Sequence, residues 1–383
     1  MIISNLFVRA FKSIFELSFP IDPQITILIG PNENGKTNIL KAMEAFKYDQ
    51  PFENSLTCQY SEHYYQKKCP EIALEFSNFT KENRRHLLAV SDVFKNVESF
   101  FIKRDGSELK DYTVFIDDVE VEKVDINKLL NCLPKILYFE EIPLIKNRVD
   151  YYSLVDGRPG FTTERNLLKI GGLEDYEVIF EDSTRGRRAL EEAGRIITEH
   201  IRRVWSQEPS VEIKLNVNGK VLYFDVSDST TVFDTPESRS LGFRWYLSFY
   251  INFLAQTYDT RAHEYIFLID EPGIHLHPAG QKDLVKVFEH LAQKNQVMYT
   301  THSPFLINRE HPQRVRLVTK NREGTKVDNE AYRQNWKPLR KSIGLMIGDL
   351  FFFSDSGLVF EFSGGRSKIF NKIKSLSKPT NEE

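Results

Sequence analysis

Cysteine is scarce: three in 383 residues, Cys58, Cys69 and Cys132, with no C-x-x-C spacing and one left over. That argues against a disulfide framework and points to a reducing cytoplasm. Long hydrophobic runs are missing too, since none approaches the roughly 20 apolar residues a spanning helix needs. The apolar start, MIISNLFVRAFK, is too short and too soon interrupted for a signal peptide. Nor is there a charge excess of either sign: 51 basic and 54 acidic residues leave a net charge of −3. The molecule as a whole is therefore not an electrostatic binder of nucleic acid, and only local patches could act so. One such stretch is 309–341, with ten Lys/Arg against four Asp/Glu. Its plain reading is a solvated surface. Internal repeats and low-complexity tracts are absent as well. What is present is 41% hydrophobic residues and 29 phenylalanines, enough for an ample core in two or three domains or one large one.

The periodicity predicts short strands at 3–8, 14–19 and 25–29, followed by a helix with Ile39, Leu40, Met43 and Phe46 on one face. Residues 135–143 read as a buried strand ending at acids, and the glycine-rich 156–173 as loop. An amphipathic helix is expected over 186–205, then a hairpin turning at Asn218-Gly219. Residues 264–307 read strand, loop, helix, strand, and "EYIFLI" is apolar enough for a parallel strand covered on both faces. Four segments result: 1–150 and 210–335 as two halves of one unit, 151–209 as a helical and loop insert, and 336–383 as a tail.

G-P-N-E-N-G-K-T, between the third strand and its helix, has the phosphate-loop spacing G-x-x-x-x-G-K-[ST] in the required context. Gly30 and Gly35 permit a tight turn whose N–H groups face phosphates, with Pro31, Asn32, Glu33 and Asn34 between them. Lys36 brings a cation to the β- and γ-phosphates, and the Thr37 hydroxyl can ligate Mg²⁺. Asn38 follows in the helix, whose N-terminal dipole favours the anion.

A phosphate loop needs an acid on a neighbouring strand to hold its Mg²⁺, and Asp270 ends such a strand. Glu271 comes next and can polarise a water as a general base. His302, after the following strand, can contact the γ-phosphate. His275 and His277 are open to three readings: metal ligands, a loop crossing a dimer interface, or packing.

The strings "IGPNENGKTNIL", "FLIDEPGIHLHPAGQ" and "TTHSPFLI" resemble the ATP-binding-cassette (ABC) branch of phosphate-loop ATPases. More closely they resemble the SMC/RecF-like group and the overcoming-lysogenization-defect (OLD) family. The resemblance implies an α/β P-loop NTPase, an ABC-type ATPase head with a mixed sheet and an inserted segment. It implies ATP and Mg²⁺ as cofactors, and a homodimer or higher oligomer with ATP sandwiched between heads. "SRSLGFRWYLSF" is then the candidate signature segment, with Ser240 donating to the partner's γ-phosphate and Gly242 allowing close approach. Against it stands an ordinary serine cap. The family's glutamine-bearing loop falls near Glu140 and Glu141, which are acids, so that assignment stays open.

OLD-like proteins often continue into a Toprim nuclease. Here "SGLVFEFSGGRSKIFNKI" places Glu361 at the position of its first acid, but Phe362 replaces the glycine and no Asp follows. The expectation is a shortened or degenerate nuclease, or a separate nuclease or effector as partner. The function expected is an ATPase acting on DNA or RNA or in anti-phage defence, away from membranes. The alternatives are a truncated OLD-type endonuclease and a scaffold that binds ATP without turnover.

Overall fold

The protein is described from a computed structural model, which covers residues 1–331 apart from 48–50, 67, 107–110, 123, 182, 231, 258–264 and 309. The tail 336–383, with Glu361, lies outside the described residues.

Among the described residues, fifteen strands form two sheets. They are β1 (Ile2–Phe11), β2 (Ile14–Pro20), β3 (Ile25–Ile29), β4 (Glu71–Ser77), β5 (Ser99–Arg104), β6 (Tyr112–Ile116), β7 (Val119–Glu120) and β8 (Lys135–Phe139). Then come β9 (Arg148–Asp150), β10 (Glu212–Asn218), β11 (Val221–Ser227), β12 (Tyr265–Ile269), β13 (Gln296–Thr301), β14 (Val315–Asn321) and β15 (Gly324–Asp328). The large sheet runs β7-β6-β5-β4-β1-β2-β15-β14-β3-β13-β12-β8, and the small one β10-β11-β9. From β14 through β3, β13 and β12 to β8 the pairing is parallel, and from β14 outward through β15 to β7 it is antiparallel.

Sequence explains that division. Strands β3 (ITILI), β12 (YIFLI) and β13 (QVMYTT) are buried along their whole length, as strands sandwiched between layers must be. β4 and β5 alternate half-buried and buried positions, the mark of a sheet packed hard on one face. The period of two also splits the core. Ile25, Ile27, Ile29, Phe267 and Ile269 point to one side, where the helices Thr184–Val204, Leu241–Thr257 and Pro278–Leu291 lie. Leu28, Ile266, Leu268 and Met298 point to the other and meet Ile39, Leu40 and Met43 of the helix Lys36–Ala45.

The structure corrects four local expectations. Residues 156–173 are not all loop, because Thr162–Ile170 is helical and buries Thr163, Leu167, Leu168 and Ile170. Glycines at both ends marked the punctuation but hid the helical spacing between them. Strand β8 is half-buried rather than buried, because it is the sheet's outermost strand. The long helix starts at Thr184, capped by the Ser183 hydroxyl, which accepts the Gly186 N–H at 3.0 Å. In the hairpin the loop residues are Gly219 and Lys220, with Gly219 at φ +59°.

Candidate functional site

The loops that leave β3, β12 and β13 meet around Lys36 and Glu271. Gly30 follows β3 so closely under β14 that a Cβ there would lie 2.1 Å from the Val318 carbonyl oxygen. Gly35 sits at φ +94°, and a Cβ would lie 2.1 Å from Thr325 Oγ1. Glu33 also adopts positive φ, at 65°. The loop is braced from outside: Asn34 Nδ2 donates to the Val318 carbonyl at 3.4 Å, and Thr325 Oγ1 donates to the Asn34 carbonyl at 3.0 Å. Asn38 Nδ2 donates to Ser13 Oγ at 2.8 Å, and Ser13 is also 2.8 Å from Thr325 Oγ1. Pro31 and Asn32 are exposed at the loop's crown.

Lys36 is 6% exposed. Its Nζ donates to the carbonyls of Gly30 (2.9 Å) and Pro31 (3.2 Å) and lies 3.3 Å from Glu271 Oε1. Thr37 Oγ1 donates to Asp270 Oδ2 at 2.8 Å. On the other oxygen, Asp270 accepts from Thr300 Oγ1 at 2.5 Å, and Thr300 Oγ1 in turn accepts the Glu271 N–H at 2.8 Å. His302 Nδ1 stands 2.9 Å from Glu271 Oε2. Lys36, Glu271 and His302 thus form one chain of contacts, beside the oxygen pair of Thr37 and Asp270. Glu271 holds φ 44°, a strained conformation for a side chain of its size and of a kind that gathers at functional sites.

Sequence reasoning missed Thr300 and Ser13. Thr300 sits two residues before His302 in "YTTHSP", which was the available signal. Lys12 lies in the β1–β2 turn at φ 48°, and burial, with Lys41 nearby, holds its ammonium below the usual lysine range. Beyond β8, Glu140 follows Phe139 as Asp270 follows Ile269, the two strands being parallel and in register. Glu140 Oε1 accepts from Lys41 Nζ at 2.6 Å. Beneath it the Tyr138 hydroxyl is buried with no hydrogen-bond partner among the described residues. Burial first, then Asp270, Glu140 and Glu44, pushes that phenol far above its ordinary value.

Ser240 and Gly242 are not part of that cluster. Ser240 Oγ accepts the Phe243 N–H at 3.2 Å and so caps the helix Leu241–Thr257. A Cβ at Gly242 would lie 2.6 Å from the His275 carbonyl oxygen, so the start of this helix presses on the loop after Glu271. His275 and His277 are exposed. His277 caps the helix Pro278–Leu291 through Nδ1, 3.5 Å from the Ala279 nitrogen. Among the described residues no three His, Cys, Asp or Glu side chains gather as a metal cluster, and no helix is long and apolar enough to cross a membrane.

Solved SMC heads share this fold. An SMC head bound to the C-winged helix domain of ScpA superposes with a TM-score of 0.53 at 15% identity, covering 86% of this chain and 97% of that one. The head with a coiled coil and joint from Pyrococcus yayanosii gives 0.52 at 12% identity, over 88% and 99%. The head from Pyrococcus furiosus with an extended coiled coil, bound to the C-terminal domain of ScpA, gives 0.51 at 14%, over 88% and 98%. In sequence, the uncharacterized protein MJECL43 of Methanocaldococcus jannaschii is 32% identical over 116 residues, 29% of this chain and 30% of that protein's length. The AAA ATPase domain family matches residues 1–166 and 179–307, which takes in the phosphate loop, Asp270, Glu271 and His302. With more than half of its length so matched and the mixed α/β fold of an SMC ATPase head, the chain belongs to the AAA ATPase domain family.

Proposed function

We propose that the chain binds ATP with Mg²⁺ and hydrolyses it. The observation that carries this reading is the meeting of Thr37 with Asp270 and of Glu271 with Lys36 and His302 at the ends of β12 and β13. The phosphate loop's N–H groups and the helix Lys36–Ala45 would bind the triphosphate, with the Lys36 ammonium released from its loop carbonyls to the terminal phosphates. Thr37 and Asp270 offer the hard oxygen donors that suit Mg²⁺, whose charge would offset that gathering between the phosphates. Thr300 fixes the Asp270 carboxylate by its hydrogen bond.

Glu271 is the base: in this reading its carboxylate orients a water for in-line attack and takes its proton. His302 holds Oε2 of that carboxylate from the solvent side and, in this reading, would report loss of the γ-phosphate. Ser240 and Gly242 would complete the site of a second copy, giving an ATP-gated dimer. The OLD-like strings in the sequence support a role in nucleic-acid processing or anti-phage defence, with DNA, RNA or a separate nuclease or effector as partner.

The test is phosphate release with Mg²⁺. Wild type should turn over ATP, and Lys36→Ala should lose both turnover and nucleotide binding. Binding without release would favour a scaffold. Cutting of plasmid DNA by the purified chain that survives Lys36→Ala and is lost in Glu361→Ala would favour an OLD-type endonuclease instead.

A further inference from the structure

Gln281 ends the string DEPGIHLHPAGQ. It lies in the first turns of the helix Pro278–Leu291, 8% exposed. Its side chain turns back under the loop that carries Glu271. There Nε2 donates to two carbonyls of that loop, Gly273 at 3.1 Å and Leu276 at 3.2 Å. Its Oε1 accepts from Ser303 Oγ at 2.5 Å. Ser303 immediately follows His302. One amide thus joins the loop holding Glu271 to the loop holding His302.

The loop needs such a tie. Glu271 stands at φ 44° and Gly273 at φ 71°, so two left-handed residues within three positions bend the chain sharply. The Leu276 N–H to Gly273 carbonyl bond, at 2.9 Å, closes the bend. From the strand side, Thr300 Oγ1 fixes the Glu271 N–H. From the helix side, Gln281 fixes Gly273 and Leu276. Between these two struts lies the 2.9 Å contact of Glu271 Oε2 with His302 Nδ1. The chemistry needs an amide, because donors must face the carbonyls while an acceptor faces the serine hydroxyl. A glutamate of the same length lacks the donors, and a methionine lacks both.

We propose that Gln281 is a positioning residue for hydrolysis, holding Glu271 and His302 in register by bridging Gly273 and Leu276 to Ser303. The proposal rests on the hydrolytic reading above. Because none of the three bonds touches the phosphate loop, Gln281 governs turnover and leaves nucleotide affinity alone.

The experiment compares wild type, Gln281→Met and Ser303→Ala, each checked for folding by circular dichroism and thermal melting. Single-turnover phosphate release and the Kd for ATP, read by titration calorimetry, are measured on the same samples. Misplacing a base by a fraction of an ångström lowers the rate by about 10- to 100-fold. Gln281→Met should show a fall of that size in rate with its Kd within about threefold of wild type. Ser303→Ala, which breaks one bond of three and keeps the loop contacts, should lose about 3- to 10-fold in rate, again at unchanged Kd. It decides the matter if the methionine variant does not fold. A rate within about twofold of wild type in both folded variants overturns the proposal, as does a Kd that weakens in step with the rate. Wild type that binds ATP and releases no phosphate overturns the hydrolytic reading itself, which no behaviour of the variants can imitate.

Discussion

Glu271 and Asp270 are neighbours in sequence, and their side chains serve different pairs. In an extended strand successive side chains point to opposite faces. Here Glu271, at φ 44°, meets Lys36 and His302, while Asp270 keeps Thr37 and Thr300. Thr300 therefore supports both acids at once. Replacing it with the isosteric valine removes the bond to Asp270 Oδ1 and orphans the Glu271 N–H. The Mg²⁺ concentration for half-maximal phosphate release should rise by about tenfold, as for other residues that orient a ligand, and a magnesium titration of Thr300→Val reads it. Gly242→Ala should disturb the same loop from behind, since its Cβ would meet the His275 carbonyl oxygen at 2.6 Å. A stability loss of about 1–3 kcal/mol is expected from such overpacking, measurable by urea unfolding. Residues with a fixed local spacing were legible in the sequence: Gly30, Gly35, Lys36 and Thr37 announce themselves within eight positions. Ser13 and Thr325 did not, because hydroxyls in unrelated segments reach the loop through the sheet order alone.

At the scale of elements, the parallel strands were legible because their burial on both faces leaves unbroken apolar runs. The helix Thr162–Ile170 was not. Its value lies in a polar seam that no periodicity displays. Thr163 Oγ1 donates to the Pro143 carbonyl and accepts from Asn252 Nδ2, and the buried Glu164 carboxylate accepts the Lys146 N–H at 2.7 Å. These bonds tie the stretch after β8 to the helix Leu241–Thr257, so the region beside Glu140 and the candidate signature helix are packed as one body. The far end of the helix Lys36–Ala45 carries a different signal. Burial, with Lys135 nearby, lowers the Lys47 ammonium to about 8, and its Nζ donates to the Pro134 carbonyl at 2.7 Å. The unfolded chain holds that proton up to about 10.4. Between the two values the unfolded state binds more protons, so stability rises with pH across that window. Wild type should gain up to roughly 3 kcal/mol relative to Lys47→Met between pH 7.5 and 10, as followed by urea unfolding. A pH-independent difference would contradict the assignment.

At the scale of the molecule, the mixed sheet presents its nucleotide loops at one end of its parallel half, and the helix capped by Ser240 starts beside the His275 carbonyl. Ile274 and Leu241, adjacent to that contact, are large apolar residues left exposed. If this surface meets a second copy across ATP, light scattering of Glu271→Gln with ATP and Mg²⁺ should report twice the chain mass, and addition of Ser240→Arg should return it to one. A doubled mass in the Ser240→Arg background would remove Ser240 from the interface. The role in the cell was the least legible property, because one fold hosts many functions and the sequence names no partner.

The most direct measurement of the central claim is phosphate release in a single turnover, with ATP and Mg²⁺, by wild type and by Glu271→Gln. Glutamine keeps the shape of the side chain and loses its basicity. The expected result is tight ATP binding in both, with release in the variant slowed by at least about 100-fold. Equal rates in the two proteins would contradict the assignment of Glu271 as the base.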